Sequence, residues 1–173
     1  MLLASRRFVF VLVAALSAAL PVRADVGLPN CFSDHLVLQR EKPVPVWGTA
    51  APGERVTVSF RDQKYETQAD EAGNWRVELA PLKAGGPDEL VVAGKNTITR
   101  SDVLVGEVWV GSGQSNMAGV VNQYLDNDPE LKKLKFAGPY PRIRLLKGNG
   151  AWAVATVNDV GQHSALLFPF GLK

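Results

Sequence analysis

The chain has 173 residues, and its 19 Lys and Arg against 17 Asp and Glu give a formal charge of +2. Three of the arginines, Arg6, Arg7 and Arg23, lie in the first 24 residues, which hold no acid, so the remainder carries 16 basic against 17 acidic groups, near −1. The only local basic cluster, Lys132-Lys133 with Lys135, suits the wet face of a short helix, so nothing points to a nucleic-acid partner. The lone Cys31 excludes an internal disulfide and a thiolate metal site, and it is expected to be buried as a small hydrophobe. Two histidines, His35 and His163, make no metal ligand set.

Residues 1–24 read as a targeting segment. Arg6 and Arg7 give a positive start, Phe8–Leu20 is an apolar run of 13 residues, and Val22-Arg-Ala24 offers the small residues of a cleavage site. The run is short for a bilayer span, so a cleaved secretory signal is predicted, with no membrane association afterwards. The expected location is outside the cytoplasm, periplasmic or extracellular.

Residues 25–102 read as all-β. Strands are expected at His35–Gln39, Val44–Trp47, Arg55–Phe60, Lys64–Ala69, Trp75–Leu79, Glu89–Ala93 and Asn96–Arg100. Arg55–Phe60 alternates apolar and polar at period two. Turn signals at Ala51-Pro-Gly53, Asp70–Asn74, Gly85-Gly-Pro87 and Gly94 separate the runs. Seven short strands at this spacing predict a sandwich, and Pro43 and Pro45 assign their strand to an edge. Trp47 and Trp75 could form a sugar-stacking platform, but as large apolar side chains in a small sandwich they are better read as core. His35 and Arg40 stand far from any nucleophile in sequence, and His35 is read as structural, satisfied by local hydrogen bonds.

A boundary is expected near Ser101-Asp102, with no flexible linker. Beyond it, Val103–Met117 reads VLVGEVWVGSGQSNM. The apolar residues Val103 to Val110 suit a buried strand of a parallel sheet. Apolar residues at 117, 120, 121, 124 and 125 follow the spacing of a helix face. Ser115 falls in the glycine-bounded turn between them. There its hydroxyl would lie beside the unpartnered amides of a first helical turn, where a developing oxyanion can be held. That suits a nucleophile, although from geometry alone a helix cap is the better reading, and the two roles are not exclusive. Further on, Asp128-Pro-Glu130 starts a helix with Asp as cap and Pro at the first position. Pro141–Leu146 reads as a strand, Gly148-Asn-Gly150 as a turn, and Ser164 as the cap of an apolar helix from Ala165 to Leu172. His163 could be imagined as a base, but an exposed or capping role is the better reading. Asp128 and Asp159 have no strong claim as its acid.

Gly113-Gln-Ser-Asn-Met117 following Gly106-Glu-Val-Trp-Val110 resembles the nucleophile block of the sialate O-acetylesterase family, SGNH-type serine hydrolases. It is not the G-x-S-x-G elbow, since Met117 stands where the second glycine would be. Phe32–Arg40, Pro45-Val-Trp-Gly48, Gly73-Asn-Trp75 and Gly85-Gly-Pro87 resemble the family's leading segment. The resemblance implies an α+β protein of two domains: an all-β sandwich (25–102) followed by the start of a flavodoxin-like α/β/α hydrolase domain (103–173). It also implies Ser115 as nucleophile, with Gln114 and Asn116 shaping the turn and oxyanion site. The substrate would be an O-acetylated carbohydrate, and neither metal nor cofactor would be needed. The family's catalytic histidine and acid come later than residue 173, so the chain is expected to be a truncated portion with an incomplete second domain. The alternative is a non-catalytic carbohydrate-binding or packing module.

Overall fold

The computed structural model describes residues 25–172; the segment read as a signal, 1–24, lies outside them. The first part is a two-sheet β-structure. Strands β1 (Val37–Gln39), β3 (Arg55–Phe60), β4 (Gln63–Gln68), β6 (Gly85–Ala93) and β7 (Thr97–Gly106) form one sheet in the order β1-β7-β6-β3-β4. Strands β2 (Val44–Thr49) and β5 (Asn74–Leu79) pair antiparallel to form the other. All seven expected strands are present. Period-two alternation explains why: Val56, Val58 and Phe60 of β3 and Trp75, Val77 and Leu79 of β5 point inward while their neighbours face out.

The inward side chains of both sheets share one core. Val46, Val56, Val58, Leu79, Leu90, Val92 and Val103 are completely enclosed in it. Each such side chain contributes on the order of 1.5–3 kcal/mol through loss of water contact. The core reading of the tryptophans holds for Trp75, whose Nε1 donates to the Thr49 carbonyl at 3.0 Å. It fails in part for Trp47, which is 43% exposed on the outer face of β2 and touches Phe32 edge-on. Cys31 is half-buried against the core, and burial pushes its thiol pKa up.

Two strands run further than their sequence signals. Gly85-Gly-Pro87 was expected as a turn, yet β6 begins at Gly85 and carries register shifts between Gly85, Asp88 and Leu90. Gly86 has φ +109, and a Cβ there would meet the Val103 carbonyl at 2.6 Å, so the bulge closes on β7 only with glycine. Strand β7 continues to Gly106, pairing antiparallel with β6 and parallel with β1 (Val37↔Leu104, Gln39↔Gly106). The expected boundary at 102/103 therefore falls inside β7. Val103 and Val105 are buried in the sandwich core, and the segment pairs with β1 in the sandwich sheet rather than in a separate parallel sheet. The expected strand does not reach Val110, which is 89% exposed.

The second part is smaller. Its elements are α1 (Ser115–Ala118), a 3-10 turn (Val121–Gln123), α2 (Pro129–Phe136), β8 (Tyr140–Leu145), β9 (Ala153–Ala155), α3 (Val157–Gln162) and α4 (Leu167–Gly171). Val121, Leu131, Ala155, Val160 and Phe168 form a second apolar cluster. Asp128 caps α2 as expected, accepting from the Leu131 amide at 2.9 Å with Pro129 at the first position. The expected Pro141–Leu146 strand is β8, shifted by one residue, and 148–150 is a turn.

Three polar side chains tie the two parts together. Arg144 of β8 has a side chain only 2% exposed, and its guanidinium donates to Asp102 Oδ1 at 2.9 Å and Oδ2 at 2.8 Å. His35 Nδ1 lies 2.6 Å from the same Asp102 Oδ2. Asp102 and His35 both have left-handed backbones, φ +52 and +65, unusual for residues with a Cβ. The structural reading of His35 holds, but its partner is 67 residues away rather than local. Trp152 adds two bonds, its amide to Ser33 Oγ and its Nε1 to the Cys31 carbonyl.

Removing the Asp102 carboxylate strands a buried guanidinium, and a plain Cβ residue there also strains the left-handed backbone. Asp102→Ala is expected to lower unfolding free energy by about 2–4 kcal/mol in urea titration. Asp102→Asn, which tolerates the backbone and keeps one acceptor, should lose less. Equal losses would contradict this account of the cluster.

Candidate functional site

Ser115 is the first residue of α1 and is exposed. Its turn is short. The Met117 and Ala118 amides both donate to the Gln114 carbonyl, at 3.0 and 3.1 Å, and the Gly119 amide closes on Ser115 O at 3.0 Å. Among the described residues the Ser115 amide has no acceptor and no histidine hydrogen-bonds the Ser115 hydroxyl. Gln114 is the exposed N-cap, and its side chain accepts no capping hydrogen bond; Asn116 lies within the turn.

The long helix expected from the 117, 120, 121, 124, 125 pattern is not formed. Helix α1 stops at Ala118, and Gly119 turns extended with ψ 125. The cause is tertiary. The Ala165 amide donates to Gly119 O at 2.9 Å, and the Val121 amide donates to His163 O at 3.0 Å, which forms a small antiparallel bridge between Val120 and Ser164. These bonds replace the helical ones, and Val121 is buried while Tyr124 is left 41% exposed.

The lead-in, residues 107–114, has no regular structure but is fixed at its start. Glu107 accepts from Arg40 Nε at 2.5 Å and from Gln39 Nε2 at 2.9 Å, and the Val108 amide donates to Gln39 Oε1. The bonds from Gln39 and Arg40 hold the Glu107 carboxyl below its usual pKa. So Arg40 is a tether for the serine-bearing segment. Sequence reasoning missed this link; the only signal was that Gln39-Arg40 and Glu107 stood in two motifs of one resemblance.

His163 is buried, not exposed, at 8% accessibility, and it is the C-cap residue of α3. It lines a small cleft of about 120 Å³ with Gly111, Met117, Ala118, Lys147 and Leu167, beside the Ser115 turn. Its Nδ1 has no hydrogen-bond partner among the described residues. Burial lowers its pKa, the nearby Lys147 charge pushes the same way, and the Leu146 carbonyl opposes them. The two acids weighed as partners are committed elsewhere: Asp128 to the α2 cap, Asp159 to Thr156 Oγ1 at the start of α3. The helix expected from Ala165 under a Ser164 cap starts at Leu167 instead, with Leu166 as its N-cap and no side-chain cap bond, while Ser164 Oγ accepts from the Leu167 amide at 3.3 Å.

No described helix is long and apolar enough to cross a membrane, and no group of three or more described His, Cys, Asp or Glu side chains is placed to hold a metal ion.

The sheet-rich fold is similar to that of a carbohydrate acetylesterase from Xanthomonas citri. That crystal structure superposes with a TM-score of 0.75 at 32% identity, over 84% of this chain and 36% of the other. The sialate O-acetylesterase of Mus musculus is 34% identical over 137 residues, covering 71% of this chain and 25% of the relative. That of Homo sapiens is 31% identical over 141 residues, covering 75% and 26%. No protein-family model matches the chain. The resemblance read from the motifs therefore holds: the chain is a homologue of one portion of the sialate O-acetylesterases, spanning about a quarter of the length of these relatives.

Because burial depresses the folded pKa of His163 below about 6.5, the unfolded ring takes up its proton first as pH falls. The unfolded state then binds more protons, so this histidine's contribution to stability is complete above about pH 6.5 and is lost on acidification. His163→Phe should remove that slope. The urea midpoint of the wild type is expected to fall relative to the variant between pH 7 and pH 5; a gap independent of pH would refute it.

Proposed function

We propose that the parent protein is an exported serine esterase that removes O-acetyl groups from a carbohydrate. The observation that carries this reading is Ser115: exposed, first in a one-turn helix, with its own amide unclaimed, inside the motif that resembles the nucleophile block of the sialate O-acetylesterase family. In this reading the Ser115 hydroxyl attacks the acetyl carbonyl and the sugar oxygen leaves as the alcohol. Water then releases acetate from the acetyl-serine. The Ser115 amide is a donor toward the oxyanion, while Gln114 and Asn116 shape the turn. Residues 103–173 would be the opening portion of an SGNH-type α/β domain, with 1–24 the export signal. Support for an incomplete arrangement comes from Val110 and Trp109, exposed by 89% and 61% on the segment leading to the serine.

The base for this chemistry is expected in sequence of the kind the longer relatives carry. His163 makes no hydrogen bond to Ser115 among the described residues, and its burial, with no carboxylate partner, disfavours the imidazolium that a base must become, so it is not assigned the role. The 173-residue chain alone should hydrolyse p-nitrophenyl acetate no faster than its Ser115→Ala variant. In a protein of the relatives' full length, Ser115→Ala should lower kcat by at least about a thousandfold. A fluorophosphonate probe should mark Ser115 there. A full-length Ser115→Ala enzyme with undiminished turnover would end the proposal.

A further inference from the structure

The outer face of the β2–β5 pair carries a feature that the Ser115 reading leaves unused. Trp47 is 43% exposed, although Val46 beside it and Trp75 on the paired strand β5 are buried in the core. It sits directly opposite Arg76, and an open depression spreads around it, walled by Pro45, Gln68, Asp70 and Asn74. The ring is fixed rather than loose: Phe32 meets it edge-on with centroids 4.8 Å apart. Its floor is also fixed. Gly48 follows Trp47, and a Cβ there would fall 2.1 Å from the Gly27 carbonyl, so the strand packs down tightly beneath the ring.

The polar rim has spare capacity. The side chain of Asn74 takes part in no hydrogen bond among the described residues, although its backbone amide is bonded to Asp70 Oδ1. Gln68 uses its Nε2 on the Gly53 carbonyl at 2.8 Å and leaves its Oε1 open. Arg76 approaches only Glu78, at 3.8 Å, with both side chains more than half exposed, so its donors are largely available. On Asp70, Oδ1 accepts from the Ala72 and Asn74 amides. A half-buried aromatic plate ringed by amide and guanidinium groups with open donors and acceptors is poorly suited to a purely apolar partner, which would leave those groups unpaired. It fits a molecule with an apolar C–H face and hydroxyls around its edge.

We infer that this depression is a binding site for a neutral pyranose chain, one ring stacking on Trp47 and its hydroxyls bonding Asn74, Gln68 and Arg76. The site shares no residue with the Ser115 turn, so it can stand if the esterase reading fails. It would bind the carbohydrate and perform no chemistry on it.

The test uses the full 173-residue chain in native gels cast with deacetylated xylan, acetylated xylan or no polysaccharide. Retardation in both xylan gels supports the site, and the Kd from its concentration dependence should rise about tenfold in Trp47→Ala, the loss of one stacking contact. Trp47 touches Phe32, so Asn74→Ala with Arg76→Ala, both on exposed positions, provides a second variant that leaves the core untouched; it should also weaken retardation several-fold. Trp109→Ala, an exposed tryptophan elsewhere, should bind as the wild type does. Absence of retardation on either xylan, or retardation unchanged in both the Trp47 and the Asn74/Arg76 variants, overturns the inference. Retardation confined to acetylated xylan and abolished by Ser115→Ala would also overturn it, assigning the binding to the serine turn.

Discussion

The structure depends on a buried positive charge. The Arg144 guanidinium is withdrawn from water at the seam between the sandwich and the β8–β9 hairpin, and a cation in that position requires an anion within reach. Asp102 supplies it with both carboxylate oxygens and also holds His35. To do so the chain adopts left-handed backbone at both Asp102 and His35, a conformation that costs free energy and persists only where contacts compensate. One carboxylate thus connects the entry to β1, the middle of β7 and strand β8. The Trp152 bonds to Ser33 and Cys31 reinforce the same seam.

The serine turn is held by what lies on either side of it. Upstream, Glu107 is gripped by Gln39 and Arg40 where the chain leaves β7. Downstream, Gly119 and Val121 exchange hydrogen bonds with Ala165 and His163. Between these anchors the chain is exposed, and Ser115 stands in that open interval. The contrast with His163 is instructive. The serine is exposed, while His163 lines the small cleft beside the serine turn and is enclosed, with its pKa lowered by burial. Nucleophile candidates need access, whereas a buried imidazole without a carboxylate partner has no means of stabilising its protonated form.

Much of the sandwich was legible from residue patterns. Strand β3 was read to the residue because Val56, Val58 and Phe60 alternate cleanly with polar neighbours, and the side-chain period of a strand is local information. The α2 cap was equally plain, since Asp128 and Pro129 act within one turn of themselves. The continuation of β7 through Asp102 to Gly106 was not legible. It is decided by β1, some 67 residues earlier, and by a glycine bulge in β6. The helix expected after Ser115 had the right apolar spacing and still broke at Gly119, because the 163–165 segment offered its backbone better-placed partners. Trp47 illustrates the reverse: its size argued for the core, yet the strand pairing of β2 turned it outward.

By itself, the sequence determined the all-β character of the first part, the local caps and turns, and the kinship with esterases carried by Gly113–Met117 and the leading motifs. Those properties rest on side-chain periodicity, on groups that satisfy one another within a few residues, and on the letters of a motif. Only the tertiary structure decided where β7 ends, that His163 is enclosed, that Arg40 tethers Glu107, and that His35, Asp102 and Arg144 meet. Each of these is a pairing between segments tens of residues apart. Desolvation and hydrogen-bond geometry select such pairings once the chain is folded, and no local pattern encodes them.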